Sequence, residues 1–343
     1  QRSLVGSEMC IRDRSCRMRS RVPERRMNMQ KLKQGFKKIP LILLFILALV
    51  VVFSLKTKQY LTYRNLLVLL QQGSVLLIVA SSATFIIISG GLDLSLGAIL
   101  TLSGITAALA VTAGVPIPVV FVVGALTGAV CGLLNGWLIS CCGLPPFITT
   151  LGTQGIFYGI ALVLTNKEGI VIYDEAFLTI GATLNRKIPM AFLCCLVLYI
   201  IMILVQDRTR FGRYLFAIGG NEEGARLSGV STKFWKVMVY VFAGLMTGLA
   251  AVILTSRLEV ADPIVGKKWE FEAICCSILG GTSMNIGKGD VKGTILGVAL
   301  LTVIRSGMNV IRIPSMWQPA ILGVILILSI VFQVRASMKE ARA

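Results

Sequence analysis

The sequence contains no histidine and few charged residues: only 15% of its 343 residues are Asp, Glu, Lys or Arg. A soluble protein of ordinary composition carries about 25%. Histidine is the side chain that most often acts as a general base, a proton relay or a zinc ligand, so its absence argues against each of these roles. We predict no catalytic residue and no metal site in this chain.

Cysteine chemistry is also unsupported by the sequence. Nine cysteines are present, but no two have C-x-x-C spacing, and six of them form the adjacent pairs Cys141–Cys142, Cys194–Cys195 and Cys275–Cys276. Neighbouring cysteines rarely bridge one another, so the pattern favours neither a disulfide framework nor a zinc site. We interpret the cysteines as small apolar residues within or beside hydrophobic segments.

The chain instead has an excess of apolar sequence, with 55% hydrophobic residues and a mean hydropathy of +0.82. The apolar residues occur in long runs, and about 20 of them are needed to cross the hydrocarbon core of a bilayer as a helix. The sequence therefore predicts an all-α membrane protein, a polytopic helix bundle with about ten transmembrane segments, one or two of them broken. The predicted spans are residues 39–55, 68–88, 92–112, 116–138, 147–164, 188–205, 237–256, 291–307 and 317–334, and the short apolar piece 271–281 is counted as a half-span.

Four regions are predicted along the chain. Residues 1–28 form a doubtful head, because Ser3–Arg14 resembles translated sequencing-derived sequence. The native start is then Met27 or Met29; a basic cytoplasmic extension or a targeting peptide is the alternative. Residues 29–38 are predicted to be a cytoplasmic N-terminus, 39–334 the transmembrane domain and 335–343 a cytoplasmic tail.

The formal net charge of +18 is concentrated in the head and in the loops between apolar runs. No polar domain is present that could form a nucleic-acid-binding face, so we interpret the charge as the positive-inside bias of membrane proteins. With the N-terminus inside, alternation places the loops 206–236 and 282–290 inside and the loops 165–187 and 257–270 outside. Three basic residues, Lys56, Lys58 and Arg64, fall outside and break the rule.

The segment Gly90–Gly97, GGLDLSLG, is the most informative polar feature because it lies between two long apolar runs. An aspartate at the centre of a membrane costs roughly 2.5–3.5 kcal/mol on insertion scales, so Asp93 is expected to have a partner or to line a wet cavity. The flanking glycines favour an interrupted helix of the kind that transporters use at binding sites. Two roles for Asp93 stay open: it stabilises the start of the following helix, or it lies on a translocation pathway.

Two further segments interrupt the apolar pattern. Leu144–Thr153 begins a helix at two prolines and offers threonine hydroxyls, which more often bond to their own helix than to a substrate. Gly280–Asp290 resembles a phosphate-binding loop, but it has neither the spacing nor the final hydroxyl of the Walker pattern, so ATP binding by this route is not expected. The candidates for the pathway or for broken helices are Asp93, Ser95, Asn135, Thr149, Thr153, Gly280 and Gly281.

One predicted span carries a strip of small residues. Gly124, Gly128, Gly132 and Gly136 follow one another at i, i+4 spacing and so share one helix face. Small residues let two membrane helices approach closely, which makes packing the favoured interpretation and pore lining the alternative. Asn135, on the same span, is expected to form a hydrogen bond to another helix.

The longest inner polar stretch, residues 206–236, contains a short predicted helix. Asn221 can cap a helix from Glu222 to Leu227 that ends at Gly229, and Glu222 and Arg226 have the i, i+4 spacing of a supporting ion pair. A helix this short is not stable alone and needs something to dock against.

Four segments in this order, GGLDLSLG, LPPFITTLGT, GRYLFAIGGNEEGARLSGV and ILGGTSMNIGKGDVKGTILG, resemble the ribose/xylose/galactose-type permeases of bacterial ABC importers. The resemblance covers about residues 39–334 and implies a multi-pass protein of the bacterial cytoplasmic (inner) membrane that is not itself an enzyme. It implies a permease subunit that carries a monosaccharide, pentose or hexose, by alternating access. It further implies a coupling helix that docks into an ATPase cleft, formed by Gly220, Asn221, Glu222, Glu223, Ala225, Arg226 and Gly229.

The same resemblance implies the partners. They are an ABC ATPase subunit that binds ATP-Mg, a periplasmic or lipid-anchored sugar-binding protein, and a second permease copy in a homodimer or heterodimer. This chain is expected to bind no cofactor and no nucleic acid, and it lies in the lipid bilayer. Charged groups are expected to be few in the pore, because charge there would bind a neutral solute and not pass it.

An ion-gradient-driven secondary transporter is the competing interpretation. The sequence argues against it because Asp93 is the single candidate for an acid inside the membrane, while Glu259, Asp262 and Glu270 fall in an outside loop. A membrane enzyme is disfavoured by the lack of any catalytic cluster of His, Cys and acids.

Overall fold

The computed structural model describes residues 42–184, 188–283 and 287–314, followed by 316–318, 320–321, 323–324 and 327. The predicted head 1–28, the segment 29–38 and the tail 335–343 lie outside these residues, as does most of the span predicted at 317–334. The chain divides into a short unit, Gln1–Leu47, and a large unit, Ala48–Ala343. The described part of the short unit, residues 42–47, is helical; apart from this first part of helix α1, everything below concerns the large unit.

The described residues form twelve helices and four strands of two residues each. The helices are α1 (Ile42–Lys56), α2 (Tyr63–Ile88), α3 (Leu96–Thr112), α4 (Ile117–Ser140), α5 (Pro146–Thr165), α6 (Glu175–Gly181), α7 (Met190–Arg208), α8 (Arg210–Gly220), α9 (Glu222–Leu227), α10 (Thr232–Leu258), α11 (Trp269–Leu279) and α12 (Val291–Val310). The strands are β1 (Ile170–Val171), β2 (Thr183–Leu184), β3 (Ile188–Pro189) and β4 (Val260–Ala261).

Among the described helices, six are long and apolar enough to cross a membrane: α2, α4, α5, α7, α10 and α12. Helices α1 and α3 are shorter apolar helices. The predicted helical membrane fold is therefore confirmed at this level. Two helices begin earlier than the predicted spans. Helix α2 begins at Tyr63, after the cap Thr62, and α10 begins at Thr232, within the polar loop.

Burial separates central from peripheral helices. In the most apolar 18-residue stretch of α2, α10 and α12, 56–67% is buried. In the corresponding stretch of α4, α5 and α7, 28% is buried. Large apolar side chains on α4, such as Val122 and Leu126, are exposed. Since exposed apolar surface of this extent is stable only against lipid or another protein, the peripheral helices present their outer faces to one of these.

The predicted glycine strip packs α4 against α10. Gly124, Gly128, Gly132 and Gly136 are all buried. A Cβ at Gly128 would fall on the carbonyl oxygen of Gly244, so the two backbones are in direct contact. This confirms the packing interpretation and explains why the strip consists of glycine and not of larger small residues.

Loops predicted to share one side of the membrane contact one another. Strand β1 pairs antiparallel with β4, which joins the two predicted outside loops through the partners Ile170 and Ala261. At the other end, the Gln206 amide donates to Asp290 Oδ1 at 3.0 Å and accepts from the Val291 N–H at 3.0 Å. These bonds join the end of α7 to the start of α12, both of which were predicted to lie inside.

The described cysteines are free thiols. Cys131, Cys195 and Cys276 are buried, as expected of small apolar residues, but Cys141 and Cys142 are exposed at the end of α4. Helix α4 ends at Ser140, so this pair lies beside the apolar segment and not within it.

Candidate functional site

The chain between α2 and α3 forms the first interruption predicted from the sequence. Gly90 has a φ of +80°, a conformation that side chains with a Cβ rarely adopt. Gly91 is enclosed, since a Cβ there would lie 2.6 Å from Tyr240 Oη. The backbone turns at these two glycines and then runs without helical bonds to the start of α3 at Leu96.

Asp93 is at the centre of this turn and is 3% exposed. Its Oδ1 accepts hydrogen bonds from the Ser95 N–H at 2.7 Å and from Ser95 Oγ at 2.6 Å. The amide of Asn135 on α4 donates to Ser95 Oγ at 2.7 Å and more weakly to Asp93 Oδ2 at 3.4 Å. The predicted bond between Asn135 and another helix is confirmed, and Asp93 stabilises the start of α3 although Ser95 is the residue in the N-cap position.

Two more helices hold the same turn. The Leu94 N–H donates to Thr150 Oγ1 on α5 at 3.1 Å, and Tyr240 Oη on α10 donates to the Leu92 carbonyl at 3.3 Å. Because buried backbone groups need partners, these bonds replace those that a continuous helix would have made. The interruption is thus fixed by side chains from α4, α5 and α10.

The other threonines of α5 bond within their own helix. Thr149 Oγ1 donates to the Pro145 carbonyl at 2.9 Å, and Thr153 Oγ1 donates to the Thr150 carbonyl at 3.2 Å. These are the bonds expected if the threonine hydroxyls bond to their own helix and not to a substrate. Thr150, which was not among the pathway candidates, is the threonine that reaches another element.

A second interruption lies before α11, and Glu270 is the second residue of that helix. This glutamate is 3% exposed, and its Oε1 accepts a bond from the Gln154 amide on α5 at 2.8 Å. The loop before it packs on α3: the Gly266 N–H donates to Thr101 Oγ1 at 3.0 Å. A Cβ at Gly97 would fall on Glu270 Oε2 and on the Gly266 carbonyl oxygen. The breaks before α3 and α11 therefore meet at Gly97.

The prediction that Glu270 lies in an outside loop was wrong, because α11 begins at Trp269, two residues before the predicted start at 271, and carries Glu270 into the bundle. Glu272 on the same helix forms an ion pair with Arg305 of α12, and its side chain is only 14% exposed. Asp93 is therefore not the single buried acid, as was argued against an ion-driven transporter. The error arose because a run of only eleven residues was interpreted as starting later than it does.

The predicted candidates Gly280 and Gly281 end α11. Gly280 packs on α12 so closely that a Cβ would lie 2.7 Å from the Gly293 backbone, and Gly281 has a φ of +96°. Just before them, a hydroxyl cluster joins three helices: Thr84 Oγ1 donates to the Ser277 hydroxyl at 2.9 Å and lies 2.7 Å from the Thr294 hydroxyl. The two glycines are thus required for a turn and a close contact. Asn285 and Ile286 of this loop are outside the described residues.

The segment 206–236, which was predicted to lie on the inner face, contains helices α8 and α9. The predicted helix Glu222–Leu227 is confirmed to the residue, with Asn221 as its N-cap: Asn221 Oδ1 accepts from the Gly224 N–H at 2.9 Å. At the other end, Gly229 has a φ of +85° and the Val230 N–H donates to the Ala225 carbonyl at 3.1 Å. These bonds terminate the helix as the sequence indicated.

The predicted ion pair between Glu222 and Arg226 does not form. Arg226 instead makes a two-bond contact with Glu223, at 2.6 and 3.1 Å, which lowers the pKa of that carboxyl. Glu222 pairs with Lys236 of α10 at 2.5 Å. The two donors of the Arg226 guanidinium match both carboxylate oxygens of Glu223. The fold brings Lys236 to the start of α9, a contact that the spacing of residues in the sequence did not predict.

Aromatic side chains attach α8 to the bundle. The Phe211 ring lies 6.0 Å from Phe85 on α2 and 5.4 Å from Phe242 on α10, measured between ring centroids. Tyr214 lies 4.9 Å from Trp235. We call these five residues the aromatic cluster. It connects the inner-face helices to two central helices by rigid packing.

Helix α9 presents an exposed surface beside this anchor. Ala225 faces inward and is 6% exposed, whereas the Leu227 side chain at the end of the helix is 78% exposed. Leu227 was not among the predicted coupling residues. The signal available in the sequence was a single large apolar residue in a stretch of charged and small residues.

Comparison with known proteins identifies the family. The profile described as "Branched-chain amino acid transport system / permease component" matches residues 65–330. The chain belongs to this permease family. The resemblance recognised in the sequence motifs is thereby confirmed, and the chain is a multi-pass membrane permease subunit of a bacterial ABC importer and not an enzyme.

Several curated relatives cover most of the permease. The D-allose transport system permease protein of Escherichia coli (strain K12) is 35% identical over 83% of this chain and 89% of its own length. The ribose import permease protein of Bacillus subtilis (strain 168) is 36% identical over 87% of this chain and 92% of its own. The autoinducer 2 import system permease protein of Photorhabdus luminescens is 30% identical over 90% of this chain and 92% of its own.

Family membership decides between the transporter classes. The buried acids Asp93, Glu270 and Glu272 removed one argument against an ion-gradient-driven transporter, but the family comprises permease components of transport systems. A binding-protein-dependent ABC system implies an ATPase subunit and a binding protein as partners. Among the described residues of the permease, no group of three or more His, Cys, Asp or Glu side chains could hold a metal ion.

Proposed function

We propose that the permease carries a monosaccharide, a pentose or a hexose, into the cell across the inner membrane by alternating access. The observation that carries the proposal is its similarity, at 35–36% identity over more than four fifths of the chain, to importers of D-allose and of ribose. In this proposal residues 39–334 form the transmembrane permease domain, with about ten segments, and the tail 335–343 is cytoplasmic.

The complex has three further parts in this proposal. An ABC ATPase subunit binds ATP-Mg on the inner side, a periplasmic or lipid-anchored binding protein delivers the sugar on the outer side, and a second permease copy, identical or different, completes the pathway. Lipid surrounds the assembly. The exposed apolar faces of α4, α5 and α7 are consistent with contacts to lipid and to a second permease.

Helix α9 is the proposed coupling helix. Gly220, Asn221, Glu222, Glu223, Ala225, Arg226 and Gly229 form it with its caps, and Leu227 supplies an exposed apolar anchor for a cleft of the ATPase. A helix of six residues gains little stability by itself and is suited to docking against a partner. Movement of α9 reaches α2 and α10 through α8 and the aromatic cluster, because packed aromatic rings transmit displacement better than a flexible loop.

The α2–α3 interruption is the proposed moving part of the pathway. Helix α2 ends at Ile88, and a Cβ at Gly219 of α8 would fall on the Ile88 carbonyl oxygen. A displacement of α8 therefore pushes on the end of α2, next to the turn held by Asp93, Ser95 and Asn135. Nucleotide binding shifts the equilibrium only if it changes the docking contacts of α9.

The experiment uses the complete complex reconstituted in proteoliposomes, with Leu227→Asp in the permease. We expect sugar-stimulated ATP hydrolysis and sugar uptake to fall together, because a charge replaces the apolar anchor at a docking surface. Insertion and thermal stability of the permease should be unchanged, since the side chain is exposed. The matched control is Leu61→Asp in the loop between α1 and α2, where the leucine is 70% exposed and outside the described helices.

Undiminished coupling in the Leu227→Asp complex, with the ATPase still bound, would remove α9 from the mechanism. Uptake that continues without ATP and collapses with an ion gradient would instead support a secondary transporter.

A further inference from the structure

A cavity of about 400 Å³ lies among α2, α10, α11 and α12. Four basic side chains line it, Arg257, Lys267, Lys268 and Arg305, and one acidic side chain, Glu272, which gives a net formal charge of +3. The sequence-based expectation was that charged groups would be few along the path of a neutral solute. A cavity with a net charge of +3 is expected to bind an anion and not a neutral solute.

The positive charge of the cavity is only partly neutralised. Arg305 pairs with Glu272, and Arg257 donates to the Gln71 carbonyl at 2.5 Å. Lys267 and Lys268 are exposed, and neither makes an ion pair with a residue that the structure describes. The ammonium groups of Lys267 and Lys268, and the part of the Arg257 guanidinium that does not bond to Gln71, are therefore available to a ligand.

The backbone holds one of these lysines in a costly position. Lys268 has a φ of +75° and is the N-cap residue of α11, where its side chain accepts no capping bond. A lysine at a helix N-terminus also faces the positive end of the helix dipole. Strain and like charge at one residue persist when surrounding structure or function requires them. The lysine charge and the positive end of the helix dipole both add to the positive potential at the cavity.

The remaining walls suit a sugar better than a protein loop. The volume lies in the range of about 300–1,000 Å³ that is typical of small-molecule sites. Trp269 offers an aromatic face, and the amides of Gln72, Asn309 and Gln318 offer donors and acceptors for hydroxyl groups. An acidic surface loop of a binding protein would use the lysines but would not need an aromatic side chain and three amides in the cavity wall.

We infer that this cavity binds an anionic sugar, a monosaccharide that carries a carboxylate or a phosphate. Lys267 and Lys268 bind the anion, and the side chains of Trp269 and the amides contact the ring and its hydroxyl groups. The inference narrows the substrate class of the proposed function and rests on it for the direction of transport. In the proposed topology the cavity belongs to the outer half of the permease, where a delivered sugar would enter.

The test measures binding to the permease–ATPase complex in nanodiscs, without nucleotide and without the binding protein, whose own sugar site would otherwise be counted. The radiolabelled probes are D-glucuronate for a carboxylate, D-ribose 5-phosphate for a phosphate and D-ribose as the neutral sugar. We expect at least one anionic probe to bind about ten-fold more tightly than D-ribose, with affinity that falls as salt is raised. In the double variant Lys267→Gln/Lys268→Gln that affinity should fall about ten-fold, to that of the neutral sugar.

The matched control is Lys56→Gln/Lys58→Gln, which removes two exposed lysines predicted to lie on the same side of the membrane. It should leave binding of every probe unchanged. The inference is overturned if D-ribose binds as tightly as both anionic probes, or if the double variant keeps the wild-type affinity. It is also overturned if the double variant weakens only the binding protein's affinity, which would make the lysines a protein contact.

Sugar-stimulated ATP hydrolysis, measured on the same preparations with the binding protein added, tests the proposed function separately. If the complex binds an anionic probe through Lys267 and Lys268 but no sugar stimulates hydrolysis, the import function fails while the site stands. If neutral sugars stimulate hydrolysis and neither anionic probe binds, the import function stands and the site fails.

Discussion

Helix α9 and the interruption between α2 and α3 both depart from the long helices of the bundle, but they are stabilised in different ways. Helix α9 is held mostly by its own neighbours in sequence, through the Asn221 cap and the turn at Gly229. The interruption is held by Asn135, Thr150 and Tyr240, which are 40 to 148 positions away from the groups they bind. A locally held helix can change partners without disturbing the bundle, whereas the interruption is part of the packing of three other helices.

The largest loss of stability is expected for a substitution at Gly97, where the two interruptions meet. In Gly97→Val the new side chain would overlap Glu270 and the Gly266 carbonyl, so α3 and the loop before α11 must separate. We expect a loss of stability of about 3 kcal/mol or more, or no folded protein at all. Thermal unfolding of the purified permease in detergent measures it.

The control for Gly97→Val is Gly152→Val on α5, where a Cβ would meet no atom within 4 Å. It makes the same change of glycine to a β-branched residue within a helix, without the overlap. Equal stability of the two variants would contradict the close contact between the interruptions.

The second effect concerns Asp93. In Asp93→Ala the Ser95 N–H and hydroxyl lose their acceptor in a buried site, and we expect a loss of about 1–3 kcal/mol. Asp93→Asn keeps an acceptor oxygen in the same place and should be closer to the wild type. Thermal unfolding of the two variants, side by side, measures the difference.

Transport in Asp93→Asn then separates the two roles left open for this residue. If the folded variant transports at the wild-type rate, Asp93 serves only to stabilise the start of α3. If the variant is stable but transport fails, the carboxylate itself belongs to the pathway. A variant as unstable as Asp93→Ala would contradict the description of its bonds.

The third effect is functional and lies at the inner face. In the double variant Glu222→Gln/Arg226→Gln both ion pairs of α9 are lost, one to Glu223 and one to Lys236. We expect reduced transport-coupled ATP hydrolysis with membrane insertion intact. Hydrolysis and uptake by the reconstituted complex are the measurements, and normal coupling would refute the role of this helix surface.

The smallest effect is expected for Glu223→Gln alone. Glu223 and Arg226 are both largely exposed, with 62% and 64% of their side chains accessible, and exposed ion pairs contribute little to stability. Because Arg226 lowers the pKa of Glu223, the pair persists at neutral pH and is lost only as the pH falls through that lowered pKa. Thermal unfolding at neutral pH should match the wild type; a marked loss would show that α9 is not held as described.

Sequence reasoning succeeded where the signal lies within one turn of helix or one apolar run. The bounds of α9 followed from Asn221 and Gly229, and the α4 packing face followed from four glycines at i, i+4 spacing. It failed where a partner comes from a distant element. Lys236 forms the ion pair with Glu222, and Glu270 is buried in the bundle. Neither contact could be predicted from the spacing of residues along the chain.

The sequence by itself determined that this chain is a membrane helix bundle of the permease class, because long apolar runs and ordered motifs are properties of consecutive residues. Only the tertiary structure decided which polar groups meet. The junction of the two interruptions at Gly97 and the basic cavity beside α11 both join residues that are far apart in the chain. Buried polar groups must find partners wherever the packing of helices supplies them, and helix packing depends on contacts across the whole chain.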